Sequence, residues 1–115
     1  MAARKGTSVD RALMAGVILL TLGTALTHIY LGSFGLPLFV LNGLGYIGLV
    51  AALYLPLSLL SPYRGIVRWA LIGYTALTIV LWFVLAFPTT LGYVNKVNEA
   101  ALIALLLLEH RLSRR

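Results

Sequence analysis

The sequence predicts an all-α integral membrane protein, a four-transmembrane-helix antiparallel up-down-up-down bundle. Three features predict it: pervasive hydropathy, turn formers spaced one helix apart, and basic residues confined to alternate connections. Of 115 residues, 61% are apolar and 10% charged, against about a quarter charged in a water-soluble domain. A core that large would leave no polar surface to cover it, and the mean hydropathy of +0.99 points to lipid as the solvent. A net charge of +6 would suggest nucleic acid as partner for a soluble chain. Here the basic residues lie almost entirely between and beyond the apolar runs, so the expected partner is the bilayer and not nucleic acid. There are no cysteines, which removes disulfides and thiolate chemistry.

The first span is expected over residues 12–31, since about 20 helical residues cross a hydrocarbon core of about 30 Å. Arg4, Lys5 and Arg11 before an apolar run also resemble a secretory leader. THIYLGSFG offers no small-x-small cleavage site and more spans follow, so the segment is expected to be retained. Thr7, Ser8 and Asp10 supply candidate caps for its first amides. Gly32, Ser33 and Gly35 break the helix, and Pro37 suits the first turn of the next. That second span is expected over 37–60, with Pro56 bending its end and SPYRG forming a turn. The third, over 66–87, stops at FPTT, where Pro88 closes one helix and Thr89 or Thr90 caps another. The fourth runs over 91–108. Short connections make the antiparallel bundle the economical arrangement, and the chain is expected to form one transmembrane domain over 1–115.

Arg4, Lys5, Arg11, Arg64, Arg68, Arg111, Arg114 and Arg115 fall on one side of such a bundle, and Lys96 towards the other. The positive-inside rule then places both termini in the cytoplasm of a multi-pass cell-membrane protein. Tyr63 and Trp69 at the inner boundary, and Tyr30, Phe34 and Tyr93 at the outer one, suit interfacial belts. The basic tail EHRLSRR suits contact with anionic headgroups.

Residues 43–48, GLGYIG, match the dinucleotide fingerprint GxGxxG, but that motif works only where a strand hands over to a helix. Inside an apolar run its glycines indicate close helix packing instead. Gly43, Gly45, Gly48 and Ala52 are the candidate packing residues of the second span, with Gly48 and Ala52 a small-xxx-small pair. Gly23, with Thr27, is their candidate counterpart on the first. The contact is expected within the bundle or between copies.

The fourth span opens with unusual polarity: Asn95, Lys96, Asn98 and Glu99 fall within an arc of about 160° at about 100° per residue. By rise along antiparallel helices, His28, Asn42 and Tyr46 reach the same level, and Thr24, Thr27, Thr78 and Trp82 can join them. His28, Asn42, Tyr46, Asn95, Lys96, Asn98 and Glu99 therefore form the candidate polar or ligand site in the outer half. Lys96 precedes Glu99, the poorer order for a helical pair and for the macrodipole, which suggests a positional requirement. The competing expectation has Lys96 reaching to the headgroups, with Glu99 neutralising it. Ionisable groups within a span are costly, so function is the default hypothesis where they face inward.

His28 and His110 lie at opposite ends, so one chain cannot make a bis-histidine haem site. His28 with Glu99 supplies two ligands, fewer than catalytic zinc requires. No metal or other cofactor is expected. Asp10 and His28 are at opposite ends too, so no Ser-His-Asp set forms and no enzyme activity is expected. The leading functional expectation is a small accessory or scaffold component, self-associated or attached to other membrane subunits. The alternative is a small oligomeric proton-coupled carrier or channel built on Lys96, Glu99, His28 and Asn42. A membrane enzyme using Glu99 or His28 as acid or base has no substrate motif to support it.

Overall fold

The computed structural model describes residues 8–35, 37–85 and 89–113. Within them the chain is all-helical: α1 Ser8–Gly32, α2 Pro37–Tyr54, α3 Arg64–Leu85 and α4 Thr90–Ser113, with a single 3-10 turn Ser61–Tyr63 before α3. Each of the four is long and apolar enough to cross a membrane. Arg4, Lys5, Thr7, Pro88, Arg114 and Arg115, on which some sequence expectations rest, lie outside the described residues.

Side-chain pairs fix the direction of each neighbour. Gly16 of α1 lies against Leu105 of α4, and Thr24 against Asn95. Asn42 of α2 meets Thr78 of α3 and Gly45 meets Tyr74, while Arg68 of α3 meets Glu109 of α4 and Trp82 meets Gly92. Rising numbers on one helix meet falling numbers on the next, so the four run antiparallel. Each packs against its two neighbours in a closed ring α1–α2–α3–α4. One end carries the α1–α2 and α3–α4 connections and is called the loop end below. The other, the terminus end, carries the α2–α3 connection with the start of α1 and the close of α4.

Local chemistry accounts for the boundaries. After α1, Ser33 N–H still reaches Ile29 O at 3.0 Å and Gly35 N–H reaches Gly32 O at 3.1 Å. The reversal needs a positive φ, and Gly35 supplies it at 103°, a conformation without penalty only for a residue lacking Cβ. Pro37 takes the first position of α2, where no intrahelical N–H is required. At α4, Thr89 is the cap: its Oγ1 accepts from Gly92 N–H at 3.0 Å, satisfying an amide the helix itself leaves unpaired.

The second span differs from expectation. α2 ends at Tyr54, not at Leu60, because proline disfavours helical backbone at the residue before it and Pro56 has no N–H to continue the ladder. Residues 55–60 turn instead, with Leu60 and Ser61 N–H both bonding Leu57 O at 3.0 and 3.1 Å. The 18 residues of α2 give a length of about 27 Å. α1 and α4, at 25 and 24 residues, outrun the predicted spans by about a turn at the terminus end.

The half of the bundle nearer the terminus end has an apolar core. Val17 of α1, Val50 and Leu53 of α2, Leu71 of α3, and Leu102 and Leu106 of α4 form one buried cluster. The outward faces are equally apolar, with Leu19, Leu26, Leu41, Leu44, Leu77, Val80 and Val97 all exposed. Burial therefore sorts the helix faces by polarity in an inverted sense: the polar side chains of α1 and α4 turn inward, and leucine and valine turn out.

Candidate functional site

The polar layer forms around Glu99, whose side chain is completely buried. Thr24 Oγ1 donates to Glu99 Oε2 at 2.7 Å, and Tyr46 OH donates to the same oxygen at 3.1 Å from the helix diagonally opposite. Lys96 forms an ion pair with Oε1. Every contact brings a donor to Glu99, the pattern a carboxylate requires. The ion pair is within α4, one turn apart, and Lys96 is itself only 6% exposed. Lys96 thus turns into the bundle, contrary to the headgroup alternative.

Thr24 is the hub of this layer. Its one O–H is spent on Glu99, and its lone pairs are left for Asn95 Nδ2 at 3.1 Å and for His28 Nδ1 at 3.3 Å. His28 Nδ1 also lies 2.8 Å from Thr24 O. A carbonyl can only accept, so Nδ1 carries the proton, and in the neutral ring Nε2 holds a lone pair. The imidazole is held by edge contacts with Phe39 at 5.7 Å and a tilted contact with Tyr46 at 6.0 Å. Thr24→Val keeps the shape and removes the hydroxyl, leaving Glu99 and Asn95 each short of a partner while His28 keeps the backbone carbonyl. It is expected to destabilise the bundle by about 1–3 kcal/mol, measurable as a lowered midpoint in denaturing-detergent titration.

Above this layer, towards the loop end, lies a cavity of about 510 Å³, within the 300–1,000 Å³ range of small-molecule sites. Its polar lining is Thr27, His28, Asn42, Thr78, Thr89, Asn95 and Lys96; Phe39, Leu81 and Trp82 form apolar walls, and Phe34 and Leu38 stand at the rim. Lys96 Nζ sits 5.8 Å from the centre of the Trp82 ring, at the limit of a cation–π contact. Asn42 Nδ2 donates to Thr78 Oγ1 at 3.3 Å, and Tyr74 OH donates to Asn42 O at 2.8 Å, which fixes the start of α2 against α3.

Of the residues predicted for the site, His28, Asn42, Asn95 and Lys96 line this cavity, and Tyr46 and Glu99 lie directly beneath. Asn98 does not join them. It turns to α1, donating to Leu20 O at 2.8 Å. The packing glycines separate as well. A Cβ on Gly43 would stand 2.5 Å from Ala25 O, and one on Gly45 would overlap Tyr74 OH, so these two glycines admit close neighbours on either side of α2. Gly48 has open space at its Cβ position and makes no such approach within the bundle, and Ala52 is half-buried. Gly23 does not meet these glycines: a Cβ on it would lie 3.5 Å from Asn98 of α4, and the α1 residues against Gly43 are Ala25 and Ile29. Two residues along a helix turn the face by about 200°, so Gly23 and Ala25 cannot serve the same neighbour.

A second polar cluster escaped sequence reading. At the terminus end Glu109 accepts from Tyr54 OH at 2.7 Å and from Arg68 Nε at 2.9 Å, and Arg68 Nη1 approaches Ser113 Oγ at 3.4 Å. The cluster joins α2, α3 and α4, and equal rise along α3 and α4 from their shared connection would have placed Arg68 level with Glu109. Arg68→Met is expected to cost about 1 kcal/mol, the pair being partly exposed, with the loss shrinking at high salt. Among the described residues no three His, Cys, Asp or Glu side chains come together. Comparison of the chain with protein-family models, curated proteins and solved structures finds no match.

Proposed function

We propose that this chain is a multi-pass membrane protein that holds a small-molecule chamber in the outer half of the bilayer, serving as an accessory component of a membrane assembly. The observation that carries this reading is the burial of Lys96 and Glu99 at the floor of the cavity. An ion pair meant only to anchor a helix end would lie in the headgroups, where its desolvation cost vanishes. Membrane embedding is supported by the exposed leucines and valines on all four helices, a surface that water would not tolerate. Arg11, Arg64, Arg68 and Arg111 at the terminus end support cytoplasmic termini, which puts the cavity on the outer side. The short turns at 33–35 and 55–60 offer no extramembrane machinery, which favours an accessory role, self-associated or beside other subunits.

A proton-coupled carrier draws on the same ion pair and is the second reading. Against it stands the cluster Val17, Val50, Leu53, Leu71, Leu102 and Leu106, which fills the bundle between Glu99 and the terminus end. A one-sided chamber needs no path through it. Reconstituted wild-type protein is expected to give no proton-driven solute uptake above protein-free vesicles. Uptake that disappears in Glu99→Gln and Lys96→Met, with assembly intact, would replace the chamber reading with the carrier.

A further inference from the structure

Lys96 Nζ is buried, and apart from its ion pair with Glu99 it has no hydrogen-bond partner among the described residues. An ammonium has three N–H donors, so two are left without a protein acceptor, on a side chain that lines the cavity. Asn42 Oδ1, on α2 across the bundle, is a buried acceptor in the same condition. His28, whose Nδ1–H is committed to Thr24 O, offers a lone pair at Nε2 when its ring is neutral. Each such group left unpaired costs about 1–3 kcal/mol, so the cavity is built to receive a molecule that supplies both an acceptor and a donor.

Charge narrows the class. Lys96 is already neutralised by Glu99. An anionic head would bring a third, uncompensated charge into a buried site, and a cationic head would face the ammonium directly. A plain hydrocarbon would fill the space and leave Lys96 Nζ and Asn42 Oδ1 unpaired. The walls above are apolar and aromatic, Phe39, Leu81 and Trp82, and Leu81 is also exposed on the outward face of α3, where lipid chains would lie.

We infer that the cavity binds an uncharged amphiphile of the amide or alcohol type, whose head accepts from Lys96 and donates to Asn42 or His28 while its chain leaves along Trp82 towards the bilayer. This rests on the chamber reading above and assigns its ligand class.

The two tryptophans allow a direct test, because Trp82 lines the cavity and Trp69 lies at the terminus end. In Trp69→Phe protein in phosphatidylcholine nanodiscs, Trp82 emission is titrated with a mid-chain brominated long-chain primary amide. The titration is repeated with the matching brominated hydrocarbon and carboxylate, and unbrominated amide serves as competitor. The expected result is saturable quenching by the amide, reversed by the competitor. Its affinity should weaken about 10-fold in Lys96→Met, equivalent to about 1.4 kcal/mol, and several-fold in Asn42→Leu, which keeps the ion pair. Circular dichroism and elution position establish that each variant is folded. Hydrocarbon or carboxylate binding as tightly as the amide would overturn the assignment of the head and leave the chamber standing. Absence of competitor-reversible quenching by all three probes would overturn the chamber itself.

Discussion

Glu99→Ala is expected to destabilise the bundle by about 3–5 kcal/mol, the range found when one partner of a buried ion pair is removed. The cost arises less from the lost contacts than from what is left: Lys96, 6% exposed, would keep a charge with no counter-ion and only the Trp82 face nearby. Tyr46 and Thr24 would also lose the acceptor they share. Removing both charges together should behave differently. Lys96→Met with Glu99→Leu leaves no uncompensated charge, so it should recover a large part of the loss, and the two single changes should be strongly non-additive. Denaturing-detergent titration of the wild type, Lys96→Met, Glu99→Leu and the double variant measures this. Additive single effects would mean the two side chains do not meet inside the bundle.

Gly43→Leu is the next largest expected effect, at about 3 kcal/mol, the upper end for overpacking. The first added carbon would stand 2.5 Å from the backbone oxygen of Ala25 and 2.7 Å from Ile29. A backbone oxygen cannot swing aside, so α1 and α2 must separate along their whole contact. Gly48→Ala is the internal control. Its Cβ meets nothing within 4 Å, and alanine is the better helix former by about 0.5–1 kcal/mol, so the bundle alone predicts a neutral or slightly stabilising change. A loss of self-association in Gly48→Ala, with the monomer's stability unchanged, would assign that glycine to contacts between copies.

Much of this was legible in the sequence because the signals were local. Four apolar runs, Gly35 in a reversal, Pro37 at a helix start and Thr89 before α4 each act through a few neighbouring residues, and each lies where its chemistry requires. The polar level was legible because helical rise is constant, so His28, Asn42, Tyr46 and Glu99 could be aligned without knowing any contact. Rotation about each helix axis was less legible. Asn98 and Glu99 are adjacent, and both fall on the predicted polar arc, but one bonds the Leu20 carbonyl at the edge of α1 and the other enters the centre. That choice depends on which helix stands on which side. The same ambiguity sent Gly23 to the wrong neighbour. Pro56 shows a different failure. Hydropathy continues through Leu57, Leu59 and Leu60 as though the span did, while the backbone has already lost its donor.

The polar layer also explains the poor order of Lys96 and Glu99 along α4. On an isolated helix the reverse order would be preferred. In the bundle, Glu99 must lie one turn deeper to meet Thr24 and Tyr46, and Lys96 must lie nearer the loop end to reach the cavity and Trp82. Position relative to the other helices overrides the intrahelical preference.

The central claim, a chamber open on one face of a membrane-embedded bundle, is tested most directly by single-cysteine labelling in sealed, oriented vesicles. The chain has no cysteine of its own, so each introduced thiol reports alone. Thr27→Cys, on the cavity wall, is predicted to react with a small membrane-impermeant thiol reagent from the side opposite the termini, as is Phe34→Cys at the rim. Ser113→Cys should react only from the terminal side. Thr21→Cys, fully buried between the polar layer and the leucine core, should react from neither. Reaction of Thr27→Cys from the terminal side, or of Thr21→Cys from both, would contradict a closed-bottomed chamber.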